Sequence, residues 1–350
     1  LTFTTNLPQI WILPFTLYVA LFVHSQLTLN SLFSEASTFE KALQKFRAVF
    51  RHIERFSYHN APHLLSLCEP FRTSGERPAD QLRRMELITT GITLRTNSLV
   101  WIVANILTPW DLYFGQLALR EKVKLRTTLP NWLDIWFELE ALSSLANFAK
   151  LNPEYAYPEI HEDSQSERPL LNAKSLGHPL IPDNERVCND FRIDTIGQIA
   201  IITGSNMSGK STFLRTVGIN FVLAFAGGPV CATQFEAQLV RLFSCIRVSD
   251  SVTDGFSYFY AEVRRLKVLL DKLNGSGDRP VLYLIDEIFR GTNNRERLIG
   301  SRSYIKAVAQ HDGIGLISTH DLELVKLSEE IGSIHNYHFK EEIEAGKMSF

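Results

Sequence analysis

Apolar side chains recur at three- and four-residue steps through much of the first 150 residues of the chain. Phe39, Leu43, Phe46, Val49, Phe50, Ile53 and Phe56 form one stripe that predicts an amphipathic helix, and Ser37 with Glu40 gives it a capping box at its start. A second stripe of Trp132, Ile135, Trp136, Leu139, Leu142 and Leu145 predicts a helix from about Pro130 that stops at Asn152-Pro153. Aromatic rings at helical spacing are assigned to core packing rather than to a ligand surface. Nearer the start, residues 7–23 are almost wholly apolar around Pro14. At 17 residues this run sits at the lower limit for crossing a bilayer, so a buried helix and a membrane-associated one are both open. The run Leu99–Leu107, broken by Asn105, is expected as a core helix.

Beyond Tyr155 the pattern changes. Polar, proline-containing sequence over 155–175 reads as a linker. After it, short apolar or β-branched runs at 198–203, 281–285 and 315–318 predict strands, and helical stretches at 211–226 and 258–273 separate them. Such alternation implies an α/β domain with a mostly parallel sheet covered by helices on both faces, and ligands bind these sheets at the carboxyl ends of the strands. The organisation expected is therefore an apolar segment over 1–30, a mostly α-helical domain over 31–154, the linker, and an α/β domain over 176–350.

Composition adds little to this division. Hydrophobic residues make up 45% of the chain and charged residues 21%, an ordinary globular balance. The formal net charge of −2 gives no global field for nucleic acid, so contact with DNA would need a local basic patch. Cys68, Cys188, Cys231 and Cys245 lie far apart, which argues against a disulfide framework or a zinc site. The chain starts at Leu1 and is expected to be a fragment of something longer. No signal peptide is expected, because a basic leader and a small-residue cleavage site are both missing from the start.

The chemistry sits at the predicted strand ends. Gly204-Ser205-Asn206-Met207-Ser208-Gly209-Lys210-Ser211 fits the pattern G-x-x-x-x-G-K-S/T, between a strand and a helix that begins with Thr212 close behind. Glycines let the loop curl so that successive N–H groups face phosphate oxygens, and the helix adds its positive end. Lys210 is the expected partner of the β- and γ-phosphates, and the Ser211 hydroxyl a ligand of Mg²⁺. Asp286 and Glu287 end the apolar strand 281–285; Asp286 is placed to hold the metal and Glu287 to act as general base on the attacking water. His320, after the strand 315–318, is a candidate sensor of the γ-phosphate or of that water.

Together, the loop at 204–212, the segment Asp250–Val263, the strand end Leu284–Asn294 and Ser318–Leu324 resemble the ATPase domain of the MutS family of DNA mismatch-repair proteins, relatives of the ABC-type ATPases. The resemblance is strong over about 176–350. Weaker similarity reaches the helix end at Glu140–Ala146 and the pair His178-Pro179. It implies an α/β P-loop NTPase domain of ABC/MutS type, preceded by a lever-like helical domain. It also implies ATP and Mg²⁺ as cofactors and a homodimer in which Ser257 reaches the nucleotide of the second copy. Asn206 and Met207 match the family's pair within the loop, and Arg290–Asn293 matches its dimer-seam segment. Val187, Asn189 and His338 fall where the family contacts adenine.

Departures are also present. Ser208 stands where the family commonly has Gly, Ser205 where it has Pro, and Arg186 where many relatives carry an aromatic. Neither a mismatch-reading domain, a Phe-x-Glu wedge nor the family's C-terminal helix-turn-helix is recognisable. The function expected is Mg²⁺-dependent ATP hydrolysis coupled to DNA binding in a cytoplasmic protein. The alternative is an ABC-like ATPase on the cytoplasmic face of a membrane, attached through residues 7–23. A non-hydrolysing scaffold is disfavoured by the intact Lys210, Asp286 and Glu287.

Overall fold

The computed structural model describes residues 12–73, 77–162, 168–205, 208–246, 258–275, 277–289, 293–340, 342–344 and 347–349. Two compact units divide the chain at Leu142 and Ser143.

The first unit is helical. Its elements are α1 (Ile12–Arg55), α2 (Pro62–Leu67), α3 (Pro78–Thr93), α4 (Ser98–Leu107) and α5 (Trp110–Leu151), whose last turns belong to the second unit. Phe50, Phe71 and Trp132 are the large side chains at the centre of its core, with ring centroids 5.6–6.4 Å apart, and Ile53, Leu82, Met85 and Ile135 close around them. The two predicted apolar stripes thus meet as packing surfaces.

Three expectations change here. The capping box at Ser37 does not start a helix, because nothing between residues 24 and 36 breaks one and α1 runs straight through it. Pro130 lies inside α5 rather than at its start. It forfeits one backbone hydrogen bond there, and the turn before it carries added bonds from Thr127 Oγ1 and Thr128 Oγ1 to the Lys124 carbonyl, at 2.8 and 3.1 Å. The helix α4 is not a core helix: only Asn105 is buried, while Leu99, Ile106 and Leu107 are 70–78% exposed. Of the apolar run 7–23, residues 7–11 lie outside the described residues and the rest begins α1, where Leu13, Phe15 and Leu17 are exposed. Among the described residues no single helix is long and apolar enough to cross a membrane; the bent pair α3 and α4 passes by length and composition only.

The second unit is α/β. Its elements in order are β1 (Glu159–His161), β2 (Leu171–Leu176), β3 (Asn189–Ile193), β4 (Ile199–Gly204), α6 (Lys210–Phe225), β5 (Gln234–Gln238), β6 (Arg241–Cys245), α7 (Tyr258–Asn274), β7 (Val281–Asp286), α8 (Asn294–Val308), β8 (Ile314–Ser318), α9 (Leu327–Glu330), β9 (Ile334–Phe339), β10 (Glu342–Glu344) and β11 (Lys347–Ser349). The residues 155–175, expected as a linker, hold β1 and most of β2, and Tyr155 is buried.

A five-stranded parallel sheet in the order β6-β7-β8-β4-β9 carries the site. β4, β7 and β8 are buried along nearly their whole length, which explains why they read as unbroken apolar runs. Their side chains alternate between two cores. Ala200, Ile202, Leu282, Leu284 and Leu316 pack with Leu214, Val217 and Phe221 of α6. Ile199, Ile201, Tyr283, Ile285 and Ile317 pack on the other face with Leu266 and Leu269 of α7 and with Ile305 and Val308 of α8. Helices on both faces are as expected. A second sheet of order β1-β5-β2-β3, mixed in direction, adds to the α6 side through Leu171, Ala173, Phe235 and Ala237.

Candidate functional site

Parallel pairing puts the carboxyl ends of β4, β7 and β8 on one edge of the sheet: Ile202 pairs with Ser318, and Ser318 with Asp286. The loop after β4 is shaped by two glycines. Gly204 has φ +150°, and a Cβ there would meet the Phe339 carbonyl oxygen at 2.8 Å and Ser208 Oγ at 2.6 Å. Gly209 caps α6 at φ +89°, a left-handed conformation that frees the first N–H groups of the helix to face outward. Ser208 is fully buried, and its hydroxyl donates to the Ser205 carbonyl at 3.0 Å. The hydroxyl thus braces the loop where the family commonly has glycine.

Lys210 is buried, with its ammonium on the Gly204 carbonyl at 2.9 Å and on the Ser205 carbonyl. Beside it Ser211 Oγ donates to Asp286 Oδ1 at 2.7 Å, and Ser318 Oγ donates to the same oxygen at 2.7 Å. Thr212 is exposed on the first turn of α6. Among the described residues no cluster of three or more His, Cys, Asp or Glu side chains forms a protein-only metal cage. A hydroxyl and a carboxylate side by side are hard oxygen donors, the set that suits a magnesium ion sharing its remaining positions with phosphate and water.

Glu287 follows directly. It takes φ +58°, and its N–H donates to the Ser318 carbonyl at 3.1 Å, so the chain turns sharply off β7. This conformation is sparse for a non-glycine residue and aims the carboxylate across the strand ends. Glu287 Oε1 lies 2.6 Å from His320 Nε2. The His320 loop is tied back by Thr319 N–H to the Ile202 carbonyl at 3.0 Å.

Phe289 repeats the left-handed conformation at φ +59°. Its N–H donates to Glu262 Oε1 of α7 at 2.7 Å, and Glu262 is almost fully buried. Burial first, and then the Glu262 charge, push the nearby Cys245 thiol up to about 11. A buried carboxylate bonded to a strained backbone N–H holds the turn that presents Glu287. Replacing Glu262 by Ala is expected to lower unfolding stability by about 1.5–3 kcal/mol, as for hydrogen bonds to charged groups. Glu262→Gln, which keeps the acceptor oxygen, should lose less. Denaturant titration of both variants measures the difference, and equal losses would mean that the Phe289 bond carries no stability.

Of the residues placed at adenine, Asn189 and His338 come together around a cavity of about 210 Å³ lined also by Phe191, Phe213 and Tyr337. His338 Nδ1 lies 3.0 Å from Thr203 Oγ1. Val187 is exposed and does not line this cavity. Arg186 is turned away into Tyr155, with Nη1 2.7 Å from the phenol oxygen and the guanidinium over its ring. Asn206, Met207 and Ser257 lie outside the described residues, as do residues 290–292 of the Arg290–Asn293 segment. Asn293 itself caps α8 by accepting the Glu296 N–H at 3.0 Å.

Sequence reasoning missed Ser318, Glu262 and Thr203. Ser318 was readable, since it sits in the same strand end as His320 and pairs with Asp286. Glu262 lies in the segment 250–263 that carries the resemblance, but its role was hidden, because only folding brings α7 to the residue two beyond Glu287.

The family model described as MutS domain V matches residues 200–350. Curated DNA mismatch repair proteins MutS match at 31% identity over 220 residues in Chloroflexus aurantiacus, 32% over 248 residues in an Exiguobacterium species and 32% over 242 residues in Staphylococcus haemolyticus. The second unit carries domain V of the MutS family. These alignments cover 61%, 69% and 67% of the chain but only 22%, 28% and 26% of the relatives, so the chain spans about a quarter of the MutS proteins it matches. The Gly204 loop, Asp286, Glu287 and His320 all fall within the domain V match.

Proposed function

We propose that the second unit is a P-loop ATPase that converts ATP and water to ADP and phosphate with Mg²⁺. The observation that carries this reading is the meeting of Lys210, Ser211, Asp286, Glu287 and His320 at one edge of a parallel sheet, with Ser211 and Asp286 2.7 Å apart and Glu287 and His320 2.6 Å apart. The loop N–H groups from Gly204 to Thr212 and the start of α6 cradle the phosphates, and Lys210 leaves its carbonyl partners to neutralise the β- and γ-phosphate oxygens. Ser211 and Asp286 would hold a magnesium ion, which would supply positive charge against the phosphate oxygens. Glu287 accepts the proton of the attacking water, while His320, bonded to it, orients that water or the γ-phosphate. Phosphoryl transfer demands positioning and electrostatic stabilisation rather than a covalent intermediate, which is what this set offers.

The same reading assigns Asn189 and His338 to the adenine side. It assigns Asn206 and Met207 to the loop and Ser257 to the γ-phosphate of a second copy, so that the working form is a homodimer. Its relatives bear the name of DNA mismatch repair, and coupling of the nucleotide cycle to DNA is proposed on that basis. Phosphate release by the purified protein, measured with and without Mg²⁺, tests the core of the proposal. A rate no higher than that of Glu287→Gln would reject it.

A second reading keeps the chemistry and places it at a membrane surface. One observation favours it: Phe15 and Val19 of α1 face Trp101, Ile102 and Ile106 of α4 around an apolar cavity of about 200 Å³, with many of their neighbours exposed. Binding to plain and mismatched duplexes over a salt titration, beside flotation with lipid vesicles, separates the two. Phosphate contacts give a steep salt slope that an apolar surface does not.

A further inference from the structure

The loop that carries His320 is fastened at a second point. Asp321, the next residue, receives a two-pronged bond from Arg297: Nε reaches Oδ2 at 3.0 Å and Nη2 reaches Oδ1 at 2.9 Å. Arg297 stands on the first turn of α8, where its own N–H bonds the Asn293 carbonyl at 2.9 Å and the Asn293 cap fixes the helix start. Asp321 in turn receives no slack from its backbone. Its N–H donates to Thr319 Oγ1 at 3.0 Å, and its carbonyl accepts the Leu324 N–H at 3.0 Å. Guanidinium and carboxylate are each about a quarter exposed, at 26% and 21%. The hydrogen bond with Asp321 raises the Arg297 pKa most, against an opposing effect of burial. The charges of Asp321 and then of Glu287 raise it further, so the field of Glu287 reaches this helix turn.

We propose that the Arg297–Asp321 ion pair is a clasp that positions His320 against Glu287, making Arg297 a positioning residue for the ATP hydrolysis proposed above, on which this inference rests. A planar fork fixes the orientation of the carboxylate as well as its distance, which a lysine ammonium does not. The clasp therefore joins three parts: the helix start after the Glu287 turn, the residue beside His320, and through His320 the carboxylate of Glu287. Solvent still reaches both partners, and screening limits what the pair adds to folding stability. Its worth lies in holding the His320–Glu287 geometry, because small misplacements of a reacting pair cost rate steeply. Among the described residues neither side chain hydrogen-bonds the Gly204 loop, so nucleotide affinity should not depend on them.

The test compares phosphate release and binding of a non-hydrolysable ATP analogue in Arg297→Ala, Asp321→Asn, the double variant, Arg297→Lys and the exchanged pair Arg297→Asp with Asp321→Arg. Each single variant is expected to lose about tenfold in kcat, with KM and analogue affinity within about twofold. The double variant should lose no more than either single one, and Arg297→Lys or the exchanged pair should recover part of the loss. Asp321→Asn keeps the side-chain shape, so it reads the clasp even if Arg297→Ala folds poorly. A kcat within about twofold of wild type in both single variants, a loss confined to KM, or losses that multiply in the double variant would overturn the clasp. Wild-type turnover that Glu287→Gln abolishes and Arg297→Ala spares rejects the clasp alone; no turnover in wild type rejects the ATPase reading and the clasp with it.

Discussion

Replacing Glu287 by Gln is expected to slow phosphate release by about two to four orders of magnitude while ATP still binds. The amide keeps the volume of the carboxylate and one oxygen for the 2.6 Å contact with His320 Nε2. Its backbone demand is also unchanged, because Gln tolerates φ +58° no better and no worse than Glu. What disappears is the basicity needed to take a proton from water as the bond to phosphorus forms. Binding should survive, since the proposed phosphate cradle is the loop after β4, with Lys210 as its cation. Single-turnover kinetics with a separate nucleotide-binding measurement checks both halves. Turnover within a few-fold of wild type would remove Glu287 from the role of base and leave it as an orienting partner of His320.

How much of this was legible in the chain depends on how each element earns its place. The strands β4, β7 and β8 are buried on both faces, so continuous apolar runs at 198–203, 281–285 and 315–318 mark them to within one or two residues. β9 lies at the edge of the same sheet and reads Ile-His-Asn-Tyr-His-Phe, with only Ile334 fully buried, so no apolar run announces it. β1, β2 and β5 are short and rich in Asn, Gln, Glu and Lys because one side of that second sheet faces solvent. For the same reason 155–175 read as a linker. Helix starts failed for a different cause. The capping signal at Ser37 is worth about 1 kcal/mol and the break at Pro130 costs about 3 kcal/mol, and a helix already running into a packed core overrides both. The loop, Asp286, Glu287 and His320 were readable because their chemistry is written in consecutive residues. Glu262, Arg297 and Asp321 act through pairings 24 to 27 residues apart, which no window along the chain contains.

Asp286→Asn should abolish the response to Mg²⁺ while preserving the fold. Asp286 Oδ1 accepts hydroxyl hydrogens from both Ser211 and Ser318 at 2.7 Å, and an asparagine oxygen can accept the same two. The local hydrogen bonds at the ends of β7 and β8 therefore remain, and thermal unfolding should change little. The negative charge that would hold a divalent cation next to Ser211 Oγ is gone, and an amide nitrogen replaces an oxygen donor. Turnover is expected to drop by about a hundredfold or more, and raising Mg²⁺ should not restore it. Removal of Mg²⁺ from the wild-type protein by chelation should mimic the variant, and chelation should have little further effect on the variant itself. The comparison separates two roles of one carboxylate that the geometry superimposes: an acceptor tying β7 to β8 and α6, and a charge beside the phosphate loop. If Asp286→Asn kept its dependence on Mg²⁺, the metal would have to be held elsewhere. The Ser211–Asp286 pair would then be a structural bond of the sheet edge alone.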